Sequence, residues 1–450
     1  MRHKPTFSLS TTHIIMLSFL CAIIIGSLLL SLPISSADGN SVPYIDALFT
    51  ATTATCVTGL VTVTTASAWS VFGQIVILVL IQIGGLGIIT VMSGLMILIN
   101  RKMGIGDRLL IQDAFNLNTL SGLVVFIKKV LLGTFIIEGL GAIMYMLVFV
   151  PEFGIRGVWI SIFNSISAFC NAGMDIIGEN SLADYATNPI INATTSMLII
   201  LGGIGYIVWW DVIRVVGNGN RRRPFRQLTL HSKIAITSSL ALIIIGGVAI
   251  FAIEYNNPLT LGGHGIFDKI QMALFQSVTT RTAGFAAIPQ QNLTDAACVV
   301  SMLLMFIGGS PVGTAGGIKT VTLAVLIASA VATVKGKSEV TMFDRSISKS
   351  AVEKAAAVCT MSFGIMFAST VLLAAVHSAS LIDILYETVS ATATVGLSRG
   401  LTSSLNSLGK AIIIFTMYLG RVGPISLALA FSRKAKNNII KNPTEDISIG

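Results

Sequence analysis

The stretch Thr55-Cys56-Val57-Thr58-Gly59-Leu60 decides the fold, because stretches of the same kind return three more times along the 450-residue chain. The returns are Phe169-Cys170-Asn171-Ala172-Gly173-Met174, Thr280-Arg281-Thr282-Ala283-Gly284-Phe285 and Thr392-Ala393-Thr394-Val395-Gly396-Leu397. A bulky apolar residue stands ten positions before each of these glycines: Phe49, Phe163, Leu274 and Tyr386. Recurrence of one motif at long intervals indicates a repeated structural unit.

A second glycine signature follows each of these stretches at a distance of 24 to 29 residues. Its four copies are Gly84-Gly85-Leu86-Gly87, Gly202-Gly203-Ile204-Gly205, Gly308-Gly309-Ser310-Pro311 and Gly420-Arg421-Val422-Gly423. Two linked motifs in four copies predict four repeats, and we place them at residues 1–110, 111–226, 227–345 and 346–450.

The composition is that of an integral membrane protein. Hydrophobic residues make up 53% of the chain, charged residues only 11%, and the mean hydropathy is +0.84. Apolar segments of about 20 residues recur along the whole length, and each is long enough to cross a hydrocarbon core of roughly 30 Å. This pattern excludes a soluble globular protein.

The net charge of +9 is distributed as in a multi-pass membrane protein, so it does not indicate a nucleic-acid partner. Basic runs alternate with loops that hold few basic residues, and an excess of Lys and Arg marks cytoplasmic loops. The runs are Arg2 and Lys4; Arg101, Lys102 and Arg108; Arg221, Arg222, Arg223 and Arg226; Lys335 and Lys337; Arg433, Lys434 and Lys436. Both termini are therefore expected in the cytoplasm.

Each repeat reads as a span, a half-length helix, a glycine loop and a second span. The predicted spans are residues 13–33, 72–99, 123–149, 195–215, 234–255, 297–334, 355–376 and 410–431. The predicted half-length helices are residues 44–55, 158–169, 267–279 and 382–390. The predicted fold is therefore all-α, with eight transmembrane helices and four half-span pore helices around a pseudo-fourfold central pore.

Such a unit makes physical sense around a pore. Irregular backbone is tolerated at membrane depth only where it is buried in protein or lines water. The C-terminal end of a short helix carries about half a negative charge and favours a cation at the bilayer centre. The loop beyond it can replace the water shell of a cation with carbonyl oxygens, and glycine adopts the turns this requires.

The predicted cation filter consists of the loop residues at and before the four repeated glycines. They are Val57, Thr58, Gly59, Asn171, Ala172, Gly173, Thr282, Ala283, Gly284, Thr394, Val395 and Gly396. Close helix packing is the simpler interpretation for the second-signature glycines Gly85, Gly87 and Gly203. The fourfold register favours the pore interpretation for the first set.

The second span of repeat three is 38 residues long, nearly twice what one crossing needs. Its middle contains five glycines and Pro311, so it should be a broken helix with a flexible loop below the filter. The predicted gate residues are Gly308, Gly309, Gly313, Gly316, Gly317, Lys319 and Arg421.

Three of the charged residues within the predicted spans are functional candidates, and the carboxylate among them is a possible counter-ion. They are Glu138, Lys319 and Arg421. For Lys319 the alternative is a side chain that extends to the membrane interface.

Several other sequence patterns do not support a different class of protein. Residues 313–320 read G-T-A-G-G-I-K-T, which lacks the second glycine and the preceding strand of a P-loop. The five cysteines are scattered and show neither a disulfide framework nor a metal spacing. The first apolar run is longer than the core of a typical signal peptide, so it is expected to remain as the opening span.

Together the four glycine loops, the Gly-Gly-Ser-Pro and Ala315-Gly-Gly-Ile-Lys-Thr sequences and Gly420-Arg421-Val-Gly-Pro-Ile resemble the Trk/Ktr/HKT superfamily of potassium transporters. The resemblance covers essentially the whole chain and is strongest to the pore-forming subunit of bacterial Ktr systems. It implies potassium as the transported ion, sodium as a co-ion, no covalent cofactor and no enzymatic activity. It also implies that the third-repeat loop gates the pore and that Arg421 faces it. The implied partners are a second copy and a cytoplasmic ring of nucleotide-binding Rossmann-fold (RCK/KTN) subunits, within the lipid bilayer.

Two alternatives stay open at this point. One is a less selective sodium/potassium pathway, although Gly59 stands where plant relatives of that kind carry serine. The other is the ion-conducting subunit of an ATP-driven potassium pump, which shares the repeat plan.

Overall fold

The computed structural model describes residues 11–99, 104–114, 122–217, 224–423 and 445, and these are almost entirely helical. Four helices are long and apolar enough to cross a membrane in one piece: Thr11–Leu30, Leu123–Phe153, Leu230–Glu254 and Lys349–Val376. Each coincides with the predicted first span of one repeat.

The second spans of repeats one and two are bent, so the prediction of continuous helices at 72–99 and 195–215 was wrong. Val71–Leu86 and Ile88–Leu98 meet at 100°, and Pro189–Gly203 and Tyr206–Gly217 meet at 96°. Gly87 and Gly205 stand at the two bends with φ of 84° and 96°. A residue with positive φ leaves the helical hydrogen-bond ladder, so the second glycine signature marks a corner and not only a packing surface.

The second span of repeat three is interrupted, and that of repeat four is a single helix as far as the structure describes it. In repeat three Asp295–Phe306 and Thr320–Val334 are separated by a non-helical segment, as the five glycines predict. In repeat four the helix is Ser407–Val422, and Gly423 follows with φ of 87°. The predicted continuation to residue 431 lies outside the described residues.

Four half-length helices precede the repeated glycines: Tyr44–Cys56, Ile155–Cys170, Ile266–Thr279 and Leu381–Ala393. Three of them end at a left-handed residue, namely Val57, Asn171 and Thr394. The third ends at Thr280 in the right-handed region, and the left-handed residue is Thr282.

Repeat three departs from the sequence pattern by one residue. Phe49, Phe163 and Tyr386 are fully buried, but Leu274 is 41% exposed and Phe275 is buried in its place. The inward-facing side chain of the third half-length helix therefore lies nine positions before its glycine, where the other three repeats have ten.

The half-length helices pack in a cyclic pattern. Each contacts the first helix of its own repeat and the second helix of the repeat before it, with the first repeat contacting the last. Thus Tyr44–Cys56 packs against Ser407–Val422, Ile155–Cys170 against Val71–Leu86, Ile266–Thr279 against Pro189–Gly203, and Leu381–Ala393 against Asp295–Phe306. The four repeats therefore interlock around one centre.

The remaining elements are short. They are Pro33–Ser35, Thr65–Ala68, Ile105–Ala114, Ala183–Tyr185, Pro224–Gln227, Gln290–Asn292 and Leu401–Ser404, with the strands Thr341–Met342 and Arg345–Ser346 forming one antiparallel hairpin.

Candidate functional site

The four repeated glycines form a closed ring, which we call the glycine ring. Gly59, Gly173, Gly284 and Gly396 all have positive φ, from 64° to 100°. A methyl group built on each would collide with the carbonyl oxygen of the residue before the next glycine along the chain. The ring closes because a methyl group built on the last glycine, Gly396, would collide with the carbonyl oxygen of Thr58, which precedes the first. For Gly59 and Gly173 that distance to Ala172 O and Ala283 O is 2.5 Å. The four loops therefore meet around a common axis, and any side chain at these corners would collide with a neighbouring loop.

A hydroxyl group on each half-length helix supports its loop. Thr53 Oγ1 accepts a hydrogen bond from Gly59 N at 2.9 Å, and Ser390 Oγ accepts one from Gly396 N at 3.0 Å. In repeat two Ser167 Oγ bonds both N and O of Met174. In repeat three Thr279 Oγ1 donates to Phe285 O at 2.7 Å. Sequence reasoning missed these residues, although a Ser or Thr six positions before the glycine, or five in repeat three, was a readable signal.

The other predicted filter residues are buried at the same place. Val57, Thr58, Asn171, Ala172, Thr282, Ala283, Thr394 and Val395 are at most 1% exposed. Four of their carbonyl oxygens, those of Thr58, Ala172, Ala283 and Val395, face the glycine of an adjacent repeat. The loops thus bring backbone oxygens from all four repeats together at the ring.

An open cavity of about 610 Å³ lies on one side of the glycine ring, and all four ring glycines contribute to its wall. Asp175, Glu179 and Asp184 also line it. Burial raises the pKa of Asp175 from 3.8 to about 6, against a smaller lowering by the hydrogen bond from Ile177 N. Carboxylates at the mouth of a cleft raise the local concentration of cations.

Residues 308–319, which we call the central loop, lie against the glycine loops on the side of the glycine ring away from the open cavity. Gly316 N donates to Thr282 Oγ1 at 3.1 Å. A methyl group on Gly308 would collide with Gly316 O, and one on Gly316 would collide with Thr394 Oγ1. Predicted gate residues and predicted filter residues are therefore in direct contact.

The central loop is well bonded, which differs from the loosely held loop expected from its glycine content. Ser310 N and Thr314 N donate to Gly203 O and Gly202 O at 2.8 and 3.1 Å, and Tyr206 N donates to Val312 O at 2.8 Å. The N–H and C=O groups that have no helical partner at the bend of repeat two thus form hydrogen bonds with the backbone of the central loop. Backbone that has left a helix at membrane depth must find such partners in protein.

Two cationic side chains hold the same loop. Lys319 Nζ donates to Ala315 O and Gly316 O, so its ammonium group turns back onto the loop and does not extend to an interface. Arg421 Nη1 donates to Thr314 O at 2.7 Å, and its Nη2 donates to Gly84 O. These two cations face a cavity of about 260 Å³ that Gly85, Gly87 and Gly313 also line.

The third charged candidate, Glu138, lies elsewhere, between repeats one and two. Gln82 Nε2 donates to its two carboxyl oxygens at 3.1 and 3.3 Å. Its partner is therefore a neutral amide. The structure does not bring Glu138 to the central loop.

Sequence reasoning missed Arg281, which joins the glycine loop of repeat three to the central loop. This guanidinium is buried; it donates to Ser239 O and Ser239 Oγ at 3.1 Å and to Gly308 O at 3.4 Å. A charged residue inside a repeated glycine stretch was the signal for it.

Sequence reasoning also missed Glu387, in the half-length helix of repeat four. Its side chain is completely buried and accepts hydrogen bonds from Ser398 Oγ at 2.8 Å and from Thr402 Oγ1. Both hydroxyls line the open cavity. Within the described residues Glu387 takes part in no ion pair, so hydroxyl groups alone hold this carboxyl behind the fourth loop.

Comparison with known proteins gives one consistent family. Residues 3–441 match the TrkH family, described as cation transport protein. The chain is 40% identical over 95% of its length to the Ktr system potassium uptake protein B of Bacillus subtilis, covering 94% of that protein. It is 37% identical over its full length to the potassium/sodium uptake protein NtpJ of Enterococcus hirae, covering 99% of it. The crystal structure of the potassium transporter TrkH from Vibrio parahaemolyticus shares the fold, with a TM-score of 0.76, 16% identity, and coverage of 96% of this chain and 87% of that one.

Proposed function

The chain belongs to the TrkH family of cation transport proteins, and from this we propose that it takes up potassium across a bacterial cytoplasmic membrane. The glycine ring serves as the selectivity filter, and the central loop serves as the gate beneath it. The observation that carries the proposal is the closed ring, in which a backbone oxygen of each repeat lies against the glycine of an adjacent repeat. Potassium is recognised by such carbonyl groups, which replace its water shell.

The proposed membrane arrangement has eight crossings and four half-span pore helices. Each repeat contributes one long helix and one half-length helix, and its second span is bent in repeats one and two, interrupted in repeat three and described as Ser407–Val422 in repeat four. Val71–Leu86, at 16 residues, is about 24 Å long, which nearly crosses the hydrocarbon core before Gly87 turns the chain. The arms beyond Gly87 and Gly205 would then run along the cytoplasmic surface of the membrane, with both termini on that side.

The glycine ring would select potassium because its backbone oxygens are held at a fixed spacing. The C-terminal ends of four half-length helices converge there and favour a cation by their dipoles. The hydroxyl supports from Thr53, Ser167, Thr279 and Ser390 fix the loops, so that the spacing of their oxygens is set by the scaffold. Carboxylates in the open cavity would gather cations on the outer side.

The central loop would close the path by contact and by charge. It lies against Thr282 and Thr394, one residue layer below the ring. Arg421 and Lys319 hold it there and place two positive charges where a descending potassium ion would emerge. A movement of the central loop would therefore remove the steric block and the positive charge together.

The proposed assembly is a homodimer on a cytoplasmic ring of nucleotide-binding RCK/KTN subunits, with sodium assisting uptake. The term Ktr system in the name of the Bacillus subtilis relative supports association with further subunits. The Enterococcus hirae relative is named for both potassium and sodium, which makes sodium flux the specific rival to a potassium-selective path.

Reconstitution tests this function directly. Purified protein in liposomes is given equal inward gradients of K⁺, Rb⁺ or Na⁺, without ATP, beside protein-free liposomes. The proposal predicts K⁺ and Rb⁺ flux well above Na⁺ flux. Equal Na⁺ and K⁺ flux would favour the less selective pathway, and flux only with an ATPase partner and ATP would favour the pump subunit.

A further inference from the structure

A groove of about 470 Å³ runs between helices Leu230–Glu254 and Thr320–Val334, on the outside of repeat three. Its walls are mostly apolar or small side chains, and the hairpin that contains Thr341 and Met342 closes one end. The residues of the walls are Ser238, Ala241, Leu242, Ile245, Leu323, Ala324, Ile327, Ala328, Val331 and Ala332. This volume is in the range of pockets that hold small molecules.

The closed end of the groove carries positive charge. Lys335 and Lys337 line it there, and both residues are exposed. Within the described part of the chain neither ammonium group has a hydrogen bond or an ion pair. An apolar groove with free lysines at its end complements an anionic headgroup attached to an acyl chain.

The length of the groove matches one leaflet. Thr320–Val334 has 15 residues, so it spans about 22 Å, which is close to half of a bilayer measured with its headgroups. Lys335 and Lys337 belong to one of the basic runs that the positive-inside rule assigns to the cytoplasm. The groove therefore faces the inner leaflet in the orientation proposed above.

The inner end of the groove reaches the residues that hold the central loop. Thr320, which lines the groove, shares a 2.9 Å hydrogen bond with Ser310 of the loop. Ser239, next to the lining residue Ser238, accepts from Arg281 and lies 3.5 Å from Ser310 Oγ. A molecule seated in the groove would brace both helices on which these contacts depend.

We propose that this groove binds an anionic phospholipid of the inner leaflet, with an acyl chain along Leu323, Ile327 and Val331 and the phosphate at Lys335 and Lys337. The lipid would stabilise the arrangement of the two helices and so influence the gate. The inference rests on the proposed function for its orientation in the membrane. Basic pockets between membrane helices on the cytoplasmic side recognise anionic headgroups.

Thermal unfolding of the purified protein in neutral detergent tests the binding. Dioleoyl phosphatidylglycerol should raise the unfolding temperature, and dioleoyl phosphatidylcholine at the same concentration should not, because a ligand of the folded state stabilises it by mass action. Glycerol phosphate alone should have no effect, since it lacks the acyl chain. The double variant Lys335→Gln/Lys337→Gln should lose at least half of the shift.

The matched control is Lys349→Gln/Lys354→Gln, which removes two exposed lysines near the same membrane surface but outside the groove. This control should keep the full shift. Equal shifts in both double variants would overturn the proposal, because the lipid would then act through general charge. So would equal stabilisation by phosphatidylglycerol and phosphatidylcholine.

A second variant distinguishes a lipid in the groove from a second copy of the chain bound there. Ala328→Trp fills the groove and should abolish the phosphatidylglycerol shift without changing the oligomeric mass. If it alters the mass and leaves the lipid shift intact, the groove is a subunit interface and the proposal is wrong. Potassium selectivity in liposomes is measured in parallel, so that a failed lipid site with intact selectivity does not count against the proposed function.

Discussion

Arg421 Nη1 donates a hydrogen bond to Thr314 O at 2.7 Å, across 107 residues of sequence. The other end of the same guanidinium bonds Gly84 O in repeat one. One side chain from repeat four thus ties the central loop of repeat three to the bent helix of repeat one. The planar fork of arginine suits this geometry, because it presents several donors in fixed directions.

Replacing Arg421 with alanine should therefore raise basal potassium flux. Hydrogen bonds to a charged group contribute about 1.5–3 kcal/mol each, so the closed position of the loop should lose enough stability to raise the open population roughly tenfold or more. Arg421→Lys keeps the charge and loses the fork, so it should give an intermediate result. Flux into liposomes without stimulus is the measurement, with exposed Arg156→Ala as the control. A well-expressed Arg421→Ala protein that leaks no more than the parent would leave Arg421 with a packing role.

Shortening the central loop should also raise basal flux and reduce dependence on any cytoplasmic regulator. Deletion of residues 311–313 removes the Val312 carbonyl that bonds Tyr206 N, and it shortens the loop that we propose as the gate. Deletion of residues 38–40 in an exposed loop is the control, since Gly39 has no neighbour within 4 Å of a built methyl group. A shortened protein that inserts normally but conducts less would show that the loop is a structural support.

Glu387 should help fix the filter loop of repeat four. In Glu387→Gln the hydroxyl of Ser398 or Thr402 that faces the amide nitrogen must turn from donating to accepting, so one strong carboxyl acceptor is lost. That loss is on the order of 1 kcal/mol, which predicts a several-fold loss of K⁺ over Na⁺ selectivity. Glu152→Gln, whose carboxylate accepts from Tyr185 outside the ring, is the control. Unchanged selectivity in a stable Glu387→Gln protein would contradict this role.

Asp175 should make uptake sensitive to external acid. Its pKa is raised to about 6 by burial, so about a tenth of the carboxyl is ionised at pH 5 and most of it at pH 7. The folded state binds this proton more tightly than the unfolded state, so the contribution of Asp175 to the free energy of unfolding falls as the pH rises from about 4 through 6.

The effect of Asp175 on uptake has the opposite pH dependence to its effect on the free energy of unfolding. Asp175 adds its negative charge to the cavity as the pH rises through about 6, so uptake at low external K⁺ should rise between pH 5 and pH 7. Asp175→Asn should flatten that rise, measured as the initial rate of uptake. A wild-type slope in the variant would exclude Asp175 as its source.

The sequence predicted the elements with strong local signals. The four long helices, the four half-length helices and the break in repeat three were all located from apolar length and glycine or proline content. The bends at Gly87 and Gly205 were missed because apolar residues continue through both, and hydropathy does not register φ. A glycine that starts a turn and one that packs a helix look the same in a single sequence.

Long-range polar contacts were the least predictable part of the candidate site. Arg421 was expected to find carbonyl groups in the central loop, and Thr314 O is one of them. Its second acceptor, Gly84 O, depends on the bend of repeat one and had no sequence signal. Glu138 showed the reverse problem, because its charge within a predicted span suggested a counter-ion to a cation, and the structure gives it the neutral amide of Gln82 instead.

Selectivity of a Gly59→Ser variant tests the central claim most directly. Gly59 has φ of 96°, and its built methyl group lies 2.5 Å from Ala172 O, so serine must displace one of the carbonyl groups of the ring. K⁺ and Na⁺ flux are compared in liposomes for the parent, Gly59→Ser and the control Gly39→Ser, which has a similar φ of 71° and open surroundings. The account predicts that Gly59→Ser folds and inserts but loses one to two log units of K⁺ over Na⁺ discrimination, about 1.4–2.8 kcal/mol, while Gly39→Ser matches the parent. Parental selectivity in a folded Gly59→Ser protein would show that the glycine ring is not the filter.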